Sequence, residues 1–166
     1  MRLRTFNRSI SPKERAFVEE LDRFATRPRV LTALRRAKAA ALAKLRQSPE
    51  LPSTFISLDP SQLGAPAPQA IGSIRVAVTR LGDGLGIERH SNSTQYLLAL
   101  DGPVETHVET AAGWRTDCFG RRRTSELEER WHVVPLGAWH KSTSPGRRNW
   151  SVVAFHTAKE VKDEYR

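Results

Sequence analysis

A turn followed by a histidine carries the strongest chemical signal in this chain. Pro135, Gly137 and His140 stand as Pro-x-Gly-x-x-His within the largely apolar segment 131–140. A Pro-Gly turn reverses the chain, and the period of two in the next strand decides whether the histidine faces the interior. An imidazole returned to the interior of a small β-structure is suited to metal binding or to acid–base chemistry.

A second polar segment lies upstream, and it completes a recognisable pair. Residues 88–95 read Glu-Arg-His-Ser-Asn-Ser-Thr-Gln, and an apolar strand then leads to Gly102. The two segments resemble the two conserved motifs of the cupin superfamily, His-x-His, three or four residues, Glu, six residues, Gly, and Pro-x-Gly-x-x-His. Counting back from Gly102 places Gln95 at the glutamate position, His90 at the second histidine and Glu88 at the first.

The resemblance covers about residues 70–158 and implies a divalent metal held by Glu88, His90, Gln95 and His140, with His140 and His90 as the catalytic residues. Only two imidazoles of the usual three remain, and a carboxylate has moved to the first position. Two histidines with one carboxylate make the composition of the facial triad, so Fe(II) is favoured over Mn(II), Ni(II) and Zn(II). Because Gln95 replaces the usual carboxylate, a metal-free binding pocket stays open as the alternative.

Five further side chains are candidates for contacting a substrate: Tyr96, His107, His132, Trp139 and His156. Aromatic residues are more often core than ligand platform, but Trp139 precedes His140 and is placed to line the mouth of the site. His107 has the opposite parity to Val104 and Val108, so it enters the interior only if those valines face outward. The pattern does not choose between His107, His132 and His156 as a general base.

Two amphipathic helices are predicted ahead of the β-region. Ser11-Pro12-Lys13-Glu14 forms a capping box at the start of the first helix, and Arg27-Pro28 ends it. The second helix is predicted over residues 29–46. Neither helix can bury its apolar stripe alone. We therefore expect both to pack across the outer sheet and to help form a two-fold homodimer, as cupins commonly do.

From residue 54 the periodicity changes to two, which predicts a mainly β fold: a cupin-like antiparallel β-barrel or jelly roll. The predicted organisation is a basic helical arm at 1–53, the β-domain at 54–158 and a polar tail at 159–166, which forms a short helix or frays. Strands are expected at 55–58, 74–79, 85–90, 95–101, 103–109, 113–118, 131–135, 139–143 and 150–157, and a mobile loop at 119–129.

The net charge of +9 belongs almost entirely to the arm. Residues 1–50 hold 13 Lys and Arg against 5 Asp and Glu, whereas residues 51–166 hold 14 against 13. A solvated helical face is the favoured explanation, with nucleic acid as a less favoured partner.

The single cysteine, Cys118, fits a reducing compartment. With no membrane span and no secretory signal, a cytoplasmic location is expected.

Two functions follow as hypotheses. The first is a divalent-metal-dependent cupin enzyme, of the oxygenase type or a lyase or isomerase, acting on a small organic molecule. The second is a metal-free ligand-binding or sensor module whose basic helices contact a partner or nucleic acid. Deleting residues 1–50 is predicted to cost the enzyme at most stability or assembly, but to remove the sensor's output contact.

Overall fold

Two helices precede the sheets in the computed structural model, which describes residues 7–120 and 126–166. Helix α1 spans Pro12–Ala25 and begins with the capping box of Ser11 and Glu14. Helix α2 spans Pro28–Gln47 and also begins at a proline. Proline at the first helical position needs no backbone donor, so each Pro starts a helix, and Pro28 also separates α2 from α1. In the described part of the chain, no helix has the length and apolarity needed to cross a bilayer.

Ten strands follow, together with the 3-10 helix Pro60–Gln62 and the short helix α3, Leu127–Arg130. The strands are β1 Ser53–Leu58, β2 Ser73–Thr79, β3 Glu88–His90, β4 Gln95–Asp101, β5 Val104–Thr110, β6 Gly113–Phe119, β7 Trp131–Val134, β8 His140–Thr143, β9 Trp150–His156 and β10 Asp163–Tyr165. They form two five-stranded antiparallel sheets, one in the order β1-β2-β9-β4-β7 and the other in the order β10-β3-β8-β5-β6.

The first sheet is apolar on both faces. Its outer face, with Ile74, Val76 and Phe155, packs against α1 and α2 in one hydrophobic cluster. Its inner face, with Leu97 and Val152 among others, packs against the second sheet. Because strand residues alternate between faces, the side chains that face the second sheet line the interior where a ligand could bind.

The predicted helices and most of the predicted strands are confirmed, and the helices do pack on the outer sheet. The second helix is slightly longer than predicted, and the strand predicted at 85–90 is confined to β3. Because the helices share a core with the sheet, deleting residues 1–50 would expose that apolar face. The deletion therefore cannot separate an enzyme from a sensor. The homodimer stays a prediction.

Two expectations about irregular segments are wrong where the structure describes them. The polar tail neither forms a helix nor frays, because residues 163–165 pair with β3 as strand β10. The expected loop at 119–129 includes residues 127–129, which belong to helix α3. Residues 121–125 of that expected loop lie outside the described residues.

Candidate metal centre

Strands β3 and β8 place the candidate ligands next to each other. Glu88 and His90 are two residues apart on β3, so both face the interior, and Glu88 is the antiparallel partner of His140 on β8. Gly137 adopts a positive φ of 69°, which the Pro-x-Gly turn requires. The Gly137 N–H also donates to the carbonyl of His90 at 3.0 Å, so the turn of one motif is tied to the strand of the other.

Glu88, His90 and His140 form a compact donor set. Their ligand atoms all lie within 4.8 Å of one another, and His140 Nε2 is 3.5 Å from Glu88 Oε1. Two ligands that each bind one ion at about 2.1 Å, at octahedral or tetrahedral angles, lie about 3.0–3.4 Å apart. The 3.5 Å distance between His140 and Glu88 fits a shared divalent cation, and a donor pair at the 4.8 Å limit would have to approach by more than about 1 Å.

Hydrogen bonds to Nδ1 of His90 and of His140 favour the tautomer in which Nε2 is free to bind a metal. His90 Nδ1 lies 2.9 Å from Asp163 Oδ1, and His140 Nδ1 lies 3.1 Å from the carbonyl of Ala138. A carboxylate and a carbonyl only accept, so each Nδ1 carries the proton and each Nε2 keeps its lone pair. Both Nε2 atoms are buried without a hydrogen-bond partner among the described residues. A metal ligand is the chemistry that would satisfy them.

Burial favours the neutral form of two imidazoles at the candidate metal centre, those of His90 and His156. Burial lowers the pKa of His90, an effect opposed by Glu88 and Asp163 and reinforced by His140 and Arg75. Burial also lowers the pKa of His156 to about 2, with His90, Arg75 and His140 acting in the same direction. Neutral imidazole is the form that binds a metal ion, so the electrostatics of the centre suit coordination.

Gln95 opens β4 and faces the same interior. Its side chain lines the cavity beside Glu88, His90 and His140, and its Oε1 atom is buried without a partner in residues 7–120 and 126–166. The amide oxygen can bind a metal weakly or accept a hydrogen bond from a bound water. The structure thus brings all four predicted metal ligands to one place, three as a donor cluster and Gln95 at its side.

The cavity has a volume of about 180 Å³ and a largely apolar wall. The aliphatic part comes from Ala77, Leu85, Leu97, Val152 and Ala154. Arg75 supplies positive charge to this wall. Its Nη1 donates to Asp163 Oδ1 at 3.0 Å, and its guanidinium lies over the Phe55 ring at 5.0 Å. Among the described residues, one of its five N–H donors is used in this way, so the guanidinium can also bind an anion.

Three of the predicted substrate contacts lie outside the cavity. Tyr96 faces the helices and packs edge-on against Phe17. His107 faces away from the interior because Val104 packs between the sheets, and its Nδ1 pairs with the hydroxyl of Thr116. Trp139 is stacked by the guanidinium groups of Arg89 and Arg166 at 4.7 and 5.0 Å. None of these three side chains lines the cavity, so none of them would contact a ligand bound there.

The other two predicted contacts face the interior without lining the cavity. His156 is fully buried, and its ring meets His90 edge-on at 4.8 Å. His132 is also fully buried, stacks on Phe119 and lies 3.1 Å from Asp117 through Nε2. Both therefore belong to the packing around the centre, and His156 is the nearer to the donor cluster.

Arg75, Asp163 and Tyr165 lie at or beside the cavity and are among the residues there that carried no functional prediction. Arg75 alternates with Ile74 and Val76, which face the helices. That alternation puts Arg75 on the opposite face from Ile74 and Val76, but the sequence alone does not mark this face as the interior. Asp163 and Tyr165 lie in a short polar tail, where no periodic pattern marks a strand.

Comparisons with known proteins give structural neighbours but no sequence relatives. No protein-family model and no curated protein matches the chain. Two of the similar solved structures are oxalate decarboxylases. A single-substitution variant of the Bacillus subtilis enzyme has a TM-score of 0.56 and 11% identity over 70% of this chain and 28% of its own. The Lactobacillus farciminis enzyme in complex with formate has a TM-score of 0.55 and 14% identity over 69% and 31%.

Oxalate decarboxylases are cupin proteins, so the chain has the cupin fold that its motifs predicted. It spans less than a third of the length of these two neighbours. A further structure of the Bacillus subtilis enzyme is described by its Mn(II) centres. At these identities the likeness shows the fold alone. The candidate metal centre of this chain rests on its own residues.

Proposed function

We propose that this chain is a metal-dependent cupin enzyme that acts on a small carboxylate bound in the cavity. The observation that carries the proposal is the convergence of Glu88, His90 and His140, with both imidazole Nε2 atoms buried and unpartnered in the described part of the chain. A structural histidine is normally satisfied by a neighbour. Here the two orphaned nitrogens and a carboxylate share one wall of a cavity.

The remaining wall supports the substrate class. Arg75 is a cation in a mainly aliphatic surface, and a guanidinium recognises carboxylates with paired hydrogen bonds. A bound divalent ion together with Glu88, Asp163 and Arg75 leaves the site with one net positive charge, which favours an anionic substrate. A cavity of about 180 Å³ is smaller than the roughly 300–1,000 Å³ of pockets for drug-sized ligands, so it accepts only a small molecule.

A divalent ion held by these residues supplies Lewis acidity and open positions for substrate and, when it is redox-active, for dioxygen. Arg75 holds the carboxylate, and the aliphatic wall excludes bulk water. Two imidazoles and one carboxylate suit Fe(II) or Mn(II). The neighbours favour Mn(II) through the centres of the Bacillus subtilis enzyme, so the sequence-based preference for Fe(II) has no support from them. Oxygenase-type chemistry follows from the donor set, and decarboxylation follows from the neighbours' names.

The first experiment is metal analysis of protein purified without chelators, followed by titration of chelator-treated protein with Mn(II), Fe(II) and Zn(II). We expect one metal per chain. Loaded protein is then offered oxalate and formate while oxygen uptake and carbon dioxide release are measured. Oxygen uptake supports the oxygenase, and carbon dioxide release without net oxygen uptake supports a decarboxylase. Protein that neither retains nor rebinds metal but holds an organic ligand is the metal-free binding module.

The substrate class has its own test. Arg75→Gln should weaken oxalate binding to the metal-loaded protein by about 10- to 100-fold, since a hydrogen bond to a charged group contributes about 1.5–3 kcal/mol. Arg89→Gln is the matched control, because Arg89 stacks on Trp139 outside the cavity. Equal oxalate affinity in both variants would refute the role of Arg75, whatever the metal content.

A further inference from the structure

The last strand of the chain reaches the candidate metal centre through one carboxylate. Asp163 Oδ1 accepts from His90 Nδ1 at 2.9 Å and from Arg75 Nη1 at 3.0 Å. The side chain of Asp163 is only 21% exposed. One oxygen therefore contacts both a candidate metal ligand and the cation of the cavity wall.

Backbone pairing holds this carboxylate in place. In the antiparallel register of β10 with β3, Asp163 is the partner of His90 and Tyr165 is the partner of Glu88. The pairing continues at both ends, where Ser91 N–H donates to the carbonyl of Lys162 and Arg166 N–H donates to that of Ile87. Strand β3 has only three residues. It lies between β8 and β10, so β10 is its outer neighbour in the sheet.

The two histidines of the centre are oriented by different means. His140 is held by the carbonyl of Ala138, two residues away in its own turn. His90 is held by Asp163, which is 73 residues away in sequence. The orientation of His140 is therefore local, whereas that of His90 depends on strand β10 being in place.

We propose that Asp163 is a positioning residue that fixes the tautomer and orientation of His90 for metal binding and holds Arg75 at the cavity wall. This inference rests on the proposed metal site. A carboxylate bonded to the distal nitrogen of a metal-binding imidazole orients the ring, and its loss typically costs about 10- to 100-fold in metal affinity. The C-terminal strand then completes the centre although it contributes no ligand to it.

The test uses full-length protein and Mn(II) titration by calorimetry. Asp163→Ala removes the acceptor, and Asp163→Asn keeps an acceptor oxygen but removes the charge. We expect Mn(II) affinity to fall by about 10- to 100-fold in the alanine variant and by a smaller factor in the asparagine variant. Glu164→Gln is the matched control, because Glu164 is next on the strand and pairs with Arg89 on the opposite face. It should bind Mn(II) like the wild type.

A tautomer measurement separates positioning from general support of the fold. Nitrogen-15 spectra of metal-free protein should show His90 protonated at Nδ1 in the wild type and in Glu164→Gln. The Asp163→Ala spectrum should show a mixture of tautomers. If Asp163→Ala does not fold, the asparagine variant decides through its Mn(II) affinity. Wild-type affinity in a folded Asp163→Ala protein, or an unchanged His90 tautomer, overturns the proposal.

The same spectra distinguish this inference from the proposed function. If wild-type protein binds no Mn(II), Fe(II) or Zn(II), the proposed enzyme fails. A His90 tautomer that still depends on Asp163 would then leave Asp163 as a positioning residue for a metal-free pocket, and the metal part of the inference would fall with the enzyme.

Discussion

In the part of the chain that the structure describes, two buried histidines are each paired with an aspartate, and only one of these pairs belongs to a candidate site. His90 is bonded to Asp163, and His132 is bonded to Asp117. Both rings are at most 2% exposed. In both, the second ring nitrogen is buried with no partner among the described residues. Judged one residue at a time, the two histidines look alike.

The two histidines differ in what surrounds the ring nitrogen that has no partner among the described residues, Nε2 of His90 and Nδ1 of His132. His90 shares a donor cluster with Glu88 and His140 and lines the cavity, whereas His132 stacks on Phe119 within packed core. Among residues 7–120 and 126–166, no second cluster of three metal ligands accompanies His132. A candidate site is therefore marked by converging donors beside a cavity. An aspartate–histidine pair alone marks only a buried polar contact.

The largest expected effect separates the cavity histidines from the core histidine. His140→Ala should lower Mn(II) affinity by more than the factor of about 100 that loss of an outer hydrogen-bond partner costs. The fold should persist, because His140 faces a cavity rather than tight packing. Calorimetric titration and a thermal melt check both parts. Retained metal affinity would place His140 with the structural histidines.

The reverse result is expected at His132. His132→Ala leaves a void beside Phe119 and leaves the carboxylate of Asp117, only 1% exposed, without one of its donors. The free energy of unfolding should fall by about 2–4 kcal/mol, measured by urea unfolding of metal-free protein. Mn(II) affinity of the folded variant should match the wild type. A variant that loses metal but keeps its stability would contradict the division between the two regions.

The two cupin motifs predicted the metal-ligand candidates, which lie on strands β3, β4 and β8. Glu88, His90, Gln95 and His140 were placed by their match to the two cupin motifs, and all four line one cavity. Tyr96 and His107 were misplaced because strand parity gives two faces but does not say which one is the interior. The first sheet, which holds Tyr96, is apolar on both faces, so alternation could not identify its inner side. For His107, on the second sheet, the sequence did not say whether Val104 and Val108 face the helices or the interior.

The contribution of the tail could not be predicted for a different reason. Residues 163–165 read Asp-Glu-Tyr, which has no apolar period, and two of the three residues, Asp and Glu, are depleted in strands. These residues form a strand because they pair with the otherwise free edge of β3. Such pairing depends on the tertiary structure and not on the local sequence. The position of Asp163 beside His90 follows from this register.

A smaller effect tests Gln95, which departs from the family motif at the centre itself. Gln95→Glu should tighten Mn(II) by about tenfold, because a second carboxylate adds negative charge to the donor set. The metal-free variant should be less stable by about 1–3 kcal/mol, since the new carboxylate is buried near Glu88. Titration and urea unfolding measure the two effects.

The control for this prediction is Gln69→Glu, which makes the same chemical change on an exposed loop residue. It should leave both quantities unchanged. A Gln95→Glu protein that is less stable and gains no metal affinity would favour the metal-free binding pocket over the enzyme.

The smallest expected effect is a change in pH dependence at His132. Burial lowers the pKa of His132, although the hydrogen bond and charge of Asp117 oppose the shift. The folded protein therefore keeps this ring neutral, while the unfolded chain takes up a proton below its ordinary pKa of 6.5. The stability of the neutral ring is fully present above that pH and is lost as pH falls below it. The loss approaches about 1.4 kcal/mol per pH unit.

His132→Gln keeps a donor for Asp117 but cannot be protonated. In urea unfolding with a chelator present, its stability should fall less steeply between pH 6.5 and pH 5 than that of the wild type, by at most one proton per molecule. Asp117 does not obscure this interval, because its pKa is below 3.8. Burial would raise that pKa, but the hydrogen bonds from His132 and Arg8 lower it further. His107→Gln is the comparison, since its partly exposed ring should contribute less. An unchanged slope in His132→Gln would mean that the folded His132–Asp117 pair takes up the proton, and that the two buried pairs differ less than their packing implies.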